Sequence, residues 1–477
     1  MKTKPILFIC FCLCFVLKQN AQNTFSPYSR YALGELAQPT FAHNTAMGGA
    51  FVALKQDSTM PNFINVGNPA SYALIRLATL ELGINTTFSE FKGQTASSFE
   101  KTANFAYGSL GFPIGRRGGG CFGIMPYTYV GSSTTNSVDE AGIGEVNYQY
   151  QGSGGLNKIF VGYGLMPFNQ RLIKFRRKQL SLPDSLKTGY TGKYKFKETF
   201  AKLASDLALG VNGNFIKGNI TNNARVVYPD NSLYYNTYRD RIFSVSDVTA
   251  NFGLQTAYTV DSVKTATGKR RALNDKVKFT FGYTFNLNNS LNTVYTAMAY
   301  NYRISSGNEF IVDTVFYKED EPASVTLPFE QGFGIGFKKG EKLNIVADYA
   351  ITKWQNFQYL DNVSNLKQNQ RFALGAYFVP EKYAVGSGSF FRRVNYRIGA
   401  NYQTGYVQVN NTLIKSYSFS AGLGLPVGVG RLSSMVHLGA TYGKMGTTEN
   451  GLIMENFWRL NIGFTFSDKW FQKYRYD

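Results

Sequence analysis

The chain has 477 residues, a formal net charge of +20 and 16% aromatic residues. Its two histidines and its single cysteine beyond residue 14 (Cys121) exclude a zinc cluster and an internal disulfide in the exported part. Such a charge often indicates nucleic-acid binding. The chain begins with Lys2 and Lys4 before an apolar run from Ile6 to Leu17, the pattern of an export signal. Export argues against nucleic acid, so anionic lipid headgroups and lipopolysaccharide are the expected counter-charges. No cofactor is expected.

Residues 1–21 have the pattern of a secretory signal peptide. Lys2 and Lys4 precede an apolar run from Ile6 to Leu17, which is followed by a short polar stretch. The run is too short to cross a hydrocarbon layer of ~30 Å as a helix, and no later apolar stretch is long enough either. The sequence therefore predicts export without a membrane-spanning helix.

Residues 22–75 show no alternation of apolar and polar positions. They are small and polar, as in Ala46–Ala50 and Asn62–Ser71. This composition is typical of compact, irregular backbone with short helical turns. We interpret the segment as a plug.

From residue 77 onward, apolar and polar residues alternate. In the last such run, Trp458, Leu460, Ile462, Phe464 and Phe466 alternate with Arg459, Asn461, Gly463, Thr465 and Ser467. Successive side chains of a strand point to opposite faces, so one face is apolar and the other polar. A soluble sandwich would favour Lys, Glu and Thr on the polar face. Gly, Ser, Asn and Thr predominate here, which favours the crowded lumen of a membrane barrel.

The alternation predicts an all-β fold, a transmembrane antiparallel β-barrel of about fourteen strands over residues 76–467, with a tail at 468–477. An even strand number is what a closed bacterial barrel requires. The predicted strands are 77–91, 97–113, 120–133, 144–166, 206–218, 248–260, 276–289, 330–338, 342–354, 369–379, 392–404, 413–425, 432–443 and 456–467.

The predicted connections alternate between short turns, placed in the periplasm, and long external loops such as 219–247 and 290–329. The connection 167–205 breaks this pattern, because it is long yet falls on the periplasmic side. From Arg171 to Lys202 it has ten basic and two acidic residues. It is either a solvated, partly helical insertion or a docking arm for a periplasmic or secretion-complex protein.

Several motifs resemble the FadL family of outer-membrane transporters for hydrophobic compounds. They are Ala46-Met47-Gly48-Gly49-Ala50, a spacer around Asp57, Asn68-Pro69-Ala70-Ser71, Ala347-Asp348-Tyr349, Arg371-Phe372-Ala373-Leu374-Gly375, Tyr396-Arg397-Ile398-Gly399-Ala400 and Gly422-Leu423-Gly424-Leu425-Pro426. The segment Ser26–Tyr31 and the C-terminal tail are similar to exported proteins of Bacteroidetes-type bacteria.

The resemblance implies fourteen strands in the bacterial outer membrane, with residues 22–75 as a hatch inside the lumen. It implies passive uptake of fatty-acid-like compounds, which leave through a gap at a kinked third strand. We expect Gly48, Gly49, Asn68, Pro69 and Ala70 to hold the hatch, since proline fixes φ and asparagine caps turns. The family-like fold also occurs in proteins that serve protein secretion, so a non-transporting partner or plug of an export complex is the alternative.

The predicted third strand contains Gly123 and Pro126. Proline removes a hydrogen-bond donor from the strand ladder. It therefore marks either the wall opening or a bulge that only relieves strain in the barrel.

Three residues predicted to face the lumen, Arg397, Arg459 and His437, are candidates to contact a ligand head group. Arginine pairs well with a carboxylate, but these residues could equally pair with acids of the hatch or wall. His437 lies one predicted strand away from Ser416, Ser418 and Ser420, which is the arrangement of a barrel lipase. No oxyanion site or orienting partner is evident, so we do not expect an enzyme.

Overall fold

The computed structural model describes residues 24–56, 62–94, 96–168, 200, 203–229, 233–264, 270–287, 290–305, 307–359, 362–363, 366–386, 388–427 and 434–469. The predicted signal peptide, the spacer around Asp57, most of the 167–205 insertion and residues 470–477 lie outside these ranges.

Fourteen strands form a closed antiparallel barrel, which confirms the predicted fold and strand number. Each strand pairs with the next along the barrel, and the last pairs with the first from Ala78↔Asp468 to Lys92↔Met454. The strands are β1 Ala78–Lys92, β2 Ser97–Ile114, β3 Gly118–Glu140, β4 Gly144–Leu165, β5 Ala208–Val227, β6 Asn236–Lys264, β7 Arg270–Asn286, β8 Glu330–Lys339, β9 Leu343–Thr352, β10 Asn369–Phe378, β11 Asn395–Gln403, β12 Ser416–Val427, β13 Ser434–Met445 and β14 Met454–Asp468.

The apolar set of each strand faces outward. On β14, Trp458 is 54% exposed and Leu460 45%, whereas the interleaved Asn461 and Thr465 are buried at 7% and 1%. This order reverses that of a soluble core and leaves an apolar belt that only a lipid phase would cover.

The barrel has a terminal end, where Ala78 pairs with Asp468, and an opposite far end. At the far end the strands run further than predicted, because β5 continues to Val227 and β6 begins at Asn236. The connection predicted as a loop at 290–329 contains a hairpin of Ser290–Ser305 and Asn308–Thr326, and its first strand pairs with Asn236–Val245 of β6. Sequence reasoning missed these strands because they do not carry the regular alternation of a lipid-facing strand.

The remaining elements are short. The helical turns are Pro27–Arg30, Ala42–Thr45, Pro69–Leu74, Trp354–Asn356, Ser389–Arg393 and Glu449–Gly451, and the short strands are Glu35–Leu36, Gln358–Tyr359, Asn362–Val363, Gln408–Val409 and Thr412–Leu413. None of the helices in the described ranges is long and apolar enough to cross a membrane.

Residues 24–76, called here the N-terminal segment, pass through the barrel interior from the far end to the terminal end. Ser29 contacts Gly131 near the far end, and Tyr72 packs against Gly119 at the terminal end. The wall carries glycine where the segment approaches most closely, because a Cβ there would overlap the backbone of the segment; these glycines are Gly119, Gly210, Gly282, Gly334, Gly375 and Gly399.

Candidate functional site

The wall has a gap between β2 and β3. These strands pair only from Ile114↔Gly118 to Gly108↔Ile124. Beyond that point the described part of β2 pairs with β1, while β3 continues along β4. The gap begins next to Pro126, where the β3–β4 register also shifts between Pro126 and Thr128. Gly123 lies just before it, against the backbone of Gly108.

The N-terminal segment takes the place of β2 along this part of β3. Glu35 and Leu36 pair with Tyr129 and Thr128 as a two-residue antiparallel strand. Closer to the far end, the Ser29 hydroxyl donates to the carbonyl of Gly131 at 3.0 Å and accepts its N–H at 3.1 Å. The exposed edge of β3 is therefore covered from inside, by the segment rather than by the wall.

The start of the segment is also fixed to Ile453, the residue just before β14. The Tyr28 hydroxyl donates to the carbonyl of Ile453 at 2.5 Å. Burial raises the pKa of Tyr28 to about 12, so the hydroxyl keeps its proton and remains a donor.

A cavity of about 250 Å³ lies behind the gap. Met125 and Pro126 of β3 line it on the gap side, together with Leu36. The lining on the other side is mostly polar and comes from β1, β13 and β14; it includes Asn85, Thr441, Glu455, Arg459 and Asn461.

Among the described residues, five buried polar atoms of the cavity lining have no hydrogen-bond partner: Oγ of Ser26, Oδ1 of Asn85, Oγ1 of Thr441, Oε2 of Glu455 and Nδ2 of Asn461. Thr441, Glu455 and Asn461 are 7%, 6% and 7% exposed. The other carboxylate oxygen of Glu455 accepts from the hydroxyl of Ser89 at 2.7 Å. Buried polar atoms are almost always satisfied in folded proteins, so this side of the cavity is suited to a polar guest.

The two hatch glycines lie at the closest contact with β10–β12. Gly48 and Gly49 have φ values of 66° and 73°, which favour glycine. The Gly48 N–H donates to Ser420 at 2.8 Å, and its carbonyl accepts from Asn401 at 3.0 Å. A Cβ on Gly48 would lie 2.5 Å from the carbonyl oxygen of Ala400.

The Asn68-Pro69-Ala70 motif begins the turn Pro69–Leu74 at the terminal end. The Asn68 side chain accepts from the N–H of Ala70 at 3.2 Å and donates to the carbonyl of Val52 at 2.8 Å. Pro69 is the first residue of the turn, where its missing N–H costs nothing. Ala70 is fully buried against Gly210, so a larger side chain would not fit.

Buried charges of the wall bind the backbone of the segment. Asp348 of β9 accepts the N–H groups of Phe51 and Val52 at 2.6 and 2.8 Å. Arg371 of β10 interacts electrostatically with Asp348 and donates to the carbonyl of Gly49 at 3.1 Å. Sequence reasoning quoted both residues as motif members but assigned them no role. A role could have been inferred from their positions, because a charged residue that faces the lumen of a membrane strand usually has a specific partner.

The structure does not bring the three predicted head-group residues together. Arg397 donates to Nδ1 of His437 at 2.9 Å, so Nε2 of His437 carries the proton and donates to Thr465 at 2.8 Å. Both are buried, and neither lines the cavity, whereas Arg459 does. Among the described residues, no serine contacts the ring nitrogens of His437, and the Ser420 hydroxyl accepts from the N–H of Gly48 instead. The lipase arrangement is not assembled.

His43 and Glu81 complete the contact between segment and wall. Nδ1 of His43 lies 3.6 Å from a carboxylate oxygen of Glu81, whose other oxygen accepts from the N–H of Ile64 at 2.8 Å. Burial, and then the nearby charge of Arg397, hold the pKa of His43 well below its usual range, so the ring is neutral. Within the described ranges, no three side chains are placed to hold a metal ion.

The protein is a closed fourteen-stranded barrel that is filled by its own N-terminal segment. This fold defines it as an outer-membrane-type β-barrel. The toluene transporter TodX of P. putida has this fold, with a TM-score of 0.51 and 11% identity over 91% of this chain and 100% of that chain. A FadL homologue from Pseudomonas aeruginosa gives a TM-score of 0.47 and 11% identity over 91% and 99%.

The sequence profile described as BamG matches residues 1–176 and 162–477. The chain belongs to the BamG family. No curated protein matches it significantly.

Proposed function

We propose that this protein is a bacterial outer-membrane barrel for passive uptake of small hydrophobic molecules. The ligand enters from the far end, passes the cavity and leaves sideways between β2 and β3, while the N-terminal segment acts as the hatch. Outer-membrane lipid surrounds the apolar belt, and lipopolysaccharide contacts the basic outer surface. The toluene transport named for TodX is consistent with this class of cargo.

The observation that carries the proposal is the end of β2–β3 pairing at Gly108↔Ile124, directly beside Pro126. A closed barrel normally has no unpaired edge, because unsatisfied backbone groups are costly in lipid. Here the edge of β3 from Thr128 to Gly131 is satisfied by the N-terminal segment. Releasing Glu35–Leu36 would connect the cavity with the lipid phase without breaking any wall pairing.

The test fixes the hatch to β3. Leu36 and Thr128 are antiparallel partners, and such partners have Cα atoms about 4.5–5.5 Å apart, which suits a disulfide. The double variant Leu36→Cys with Thr128→Cys should lose uptake of radiolabelled toluene by cells when it is oxidised. Reduction should restore that uptake.

The matched control is Val138→Cys with Val146→Cys, partners near the tip of the β3–β4 hairpin and away from the segment. Its oxidation should leave uptake unchanged. Uptake by the oxidised Leu36/Thr128 variant at the wild-type rate would contradict the proposed route. Equal uptake by cells with and without the wild-type protein would contradict transport itself.

An alternative function, a non-transporting partner in a protein-export complex, is favoured by the hairpin at the far end. In its second strand Phe310, Ile311, Val315 and Tyr317 are 56%, 63%, 57% and 56% exposed. The outer edge of this strand has no backbone partner among described residues before Val325. Exposed apolar edge strands are typical sites for another chain to bind.

Co-purification from detergent-solubilised membranes tests this alternative. A stoichiometric partner that is lost in Ile311→Lys, but kept in the control Val138→Lys at the other hairpin, would support it. Recovery of the barrel alone with co-extracted lipid would favour transport. The predicted role of the 167–205 insertion in docking a periplasmic protein remains a proposal.

A further inference from the structure

The cavity lining combines an apolar patch with polar residues. The patch consists of Leu36, Met125 and Pro126 at the gap, to which Phe25 and Ile414 add, and Glu35, Glu100, Thr102 and Asn104 also line the cavity beside the gap. The side formed by β13 and β14 carries the unpartnered atoms of Thr441, Glu455 and Asn461. A guest that satisfies both sides must itself have a polar head and an apolar tail.

The unpartnered atoms define what the head must offer. Asn461 Nδ2 is a donor and needs an acceptor. Thr441 Oγ1 and Ser26 Oγ can donate or accept, and Asn85 Oδ1 and an ionised Glu455 need a donor. A hydroxyl group donates one hydrogen bond and accepts up to two. It can therefore serve all three types of atom, whereas a carboxylate offers acceptors alone.

The charges of the lining also disfavour a carboxylate head group. Three acids, Glu35, Glu100 and Glu455, line the cavity together with one base, Arg459. Arg459 is already engaged, since its Nε donates to Thr87 at 3.2 Å and its Nη2 lies 3.8 Å from Glu35. An anionic head would meet an excess of negative charge in a confined space, where screening by water is weak.

We propose that the cavity binds an uncharged, hydroxyl-bearing amphiphile and discriminates against carboxylates. The hydroxyl lies among Thr441, Glu455 and Asn461, and the hydrocarbon tail points to the gap beside Pro126. This inference rests on the proposed function for the cavity's place on the transport route, and it names the head group of the cargo. It also means that Arg459 does not bind a fatty-acid carboxylate.

The test compares ligands that share a chain and differ in the head. Radiolabelled dodecanol, dodecanoate and dodecane are titrated against the full protein in lipid nanodiscs at pH 8, with empty nanodiscs as background. Dodecanol should bind saturably and about tenfold more tightly than either of the others, the gain expected when a buried polar group is satisfied.

Two variants connect this selectivity to the site. Asn461→Leu should weaken dodecanol binding about tenfold and leave dodecane unchanged, because only the hydroxyl partner is removed. Glu455→Gln should raise dodecanoate binding towards that of dodecanol, since it removes one negative charge and keeps the shape. Asn286→Leu, on β7 away from the cavity, is the matched control and should change neither ligand.

Dodecanoate or dodecane binding as tightly as dodecanol would overturn the inference, and so would an Asn461→Leu variant of unchanged affinity. If no ligand binds saturably while toluene uptake persists, the head-group inference fails and the transport proposal stands. If uptake is absent as well, both fail. Retained heat-modifiable migration of each variant on gels shows that its barrel is folded.

Discussion

Two sides of the barrel hold the same N-terminal segment in different ways. On the side of β9 to β12 the wall contacts the backbone of the segment directly. The backbone of Gly399 lies against Met47, and the Asp348 side chain accepts from the N–H groups of Phe51 and Val52. On the side of β2 and β3 the wall is open, and the segment contributes the two-residue strand Glu35–Leu36 beside a cavity. The first side anchors the segment, and the second is where the proposed function has it released.

The largest effect is expected from Asp348→Ala on the anchoring side. It leaves two buried N–H groups without an acceptor and removes one of the two acids, Asp348 and Glu330, that interact electrostatically with Arg371. The expected loss is about 3–5 kcal/mol of segment stability. Limited proteolysis of the segment under native conditions measures it. Asp348→Asn keeps an acceptor and should cost less, and wild-type protection in Asp348→Ala would contradict the anchoring role.

Adding a Cβ at the closest contact is expected to have a smaller effect. Gly399→Ala places an atom on the backbone of Met47 and Gly48, and relieving such overpacking costs about 1–3 kcal/mol. In the control Gly439→Ala the new atom meets Ala46 at 3.5 Å, an ordinary contact. The midpoint of denaturant unfolding should be lower for Gly399→Ala than for Gly439→Ala. Equal midpoints would show that the segment is not tightly held by β11.

Asn68→Ala removes the cap of Pro69–Leu74 together with the bond to the carbonyl of Val52. Loss of a cap costs about 0.5–2 kcal/mol. Proteolytic cleavage in residues 62–76 should therefore increase in Asn68→Ala. Asn68→Asp keeps the acceptor of the cap but loses the donor to Val52. Its cleavage rate should therefore lie between those of the wild type and Asn68→Ala. A larger effect than that of Asp348→Ala would contradict the ranking.

Near neutral pH, the smallest effect is the pH dependence from His43. Its pKa is lowered in the folded protein by burial, and then by Arg397. The unfolded state therefore binds a proton first as the pH falls below about 6.5, and folding stability decreases by up to about 1.4 kcal/mol per pH unit. The difference between wild type and His43→Gln isolates this contribution from Glu81 and His437. A pH-independent difference between the two proteins would contradict it.

The strand ladder could be predicted because its cause is local. Trp458 and Leu460 must face lipid while Asn461 faces the lumen. The sequence shows this alternation directly, because side chains on the same face of a strand recur every two residues. The hairpin strand Asn308–Thr326 was missed because it is exposed on both faces and carries no alternation. Pro126 indicated either a wall opening or a bulge at the third strand, but no residue of β2 indicates that this strand leaves β3 at Gly108.

The partners of the N-terminal segment could not be predicted for a similar reason. Asp348 and Phe51 are 297 residues apart, and no periodicity relates them. Arg397 was expected to meet either a ligand or an acid, and it meets His437, which was proposed as a separate head-group contact. Such pairings depend on which strands become neighbours around the closed barrel.

By itself, the sequence determined that the chain forms a membrane barrel with a polar interior, because lipid imposes a two-residue period on every spanning strand. The tertiary structure decided where the wall is left open, what covers the opening and which polar groups remain without partners. Those features depend on long-range register and on the path of the segment through the lumen. Neither is encoded in the pattern of any single strand.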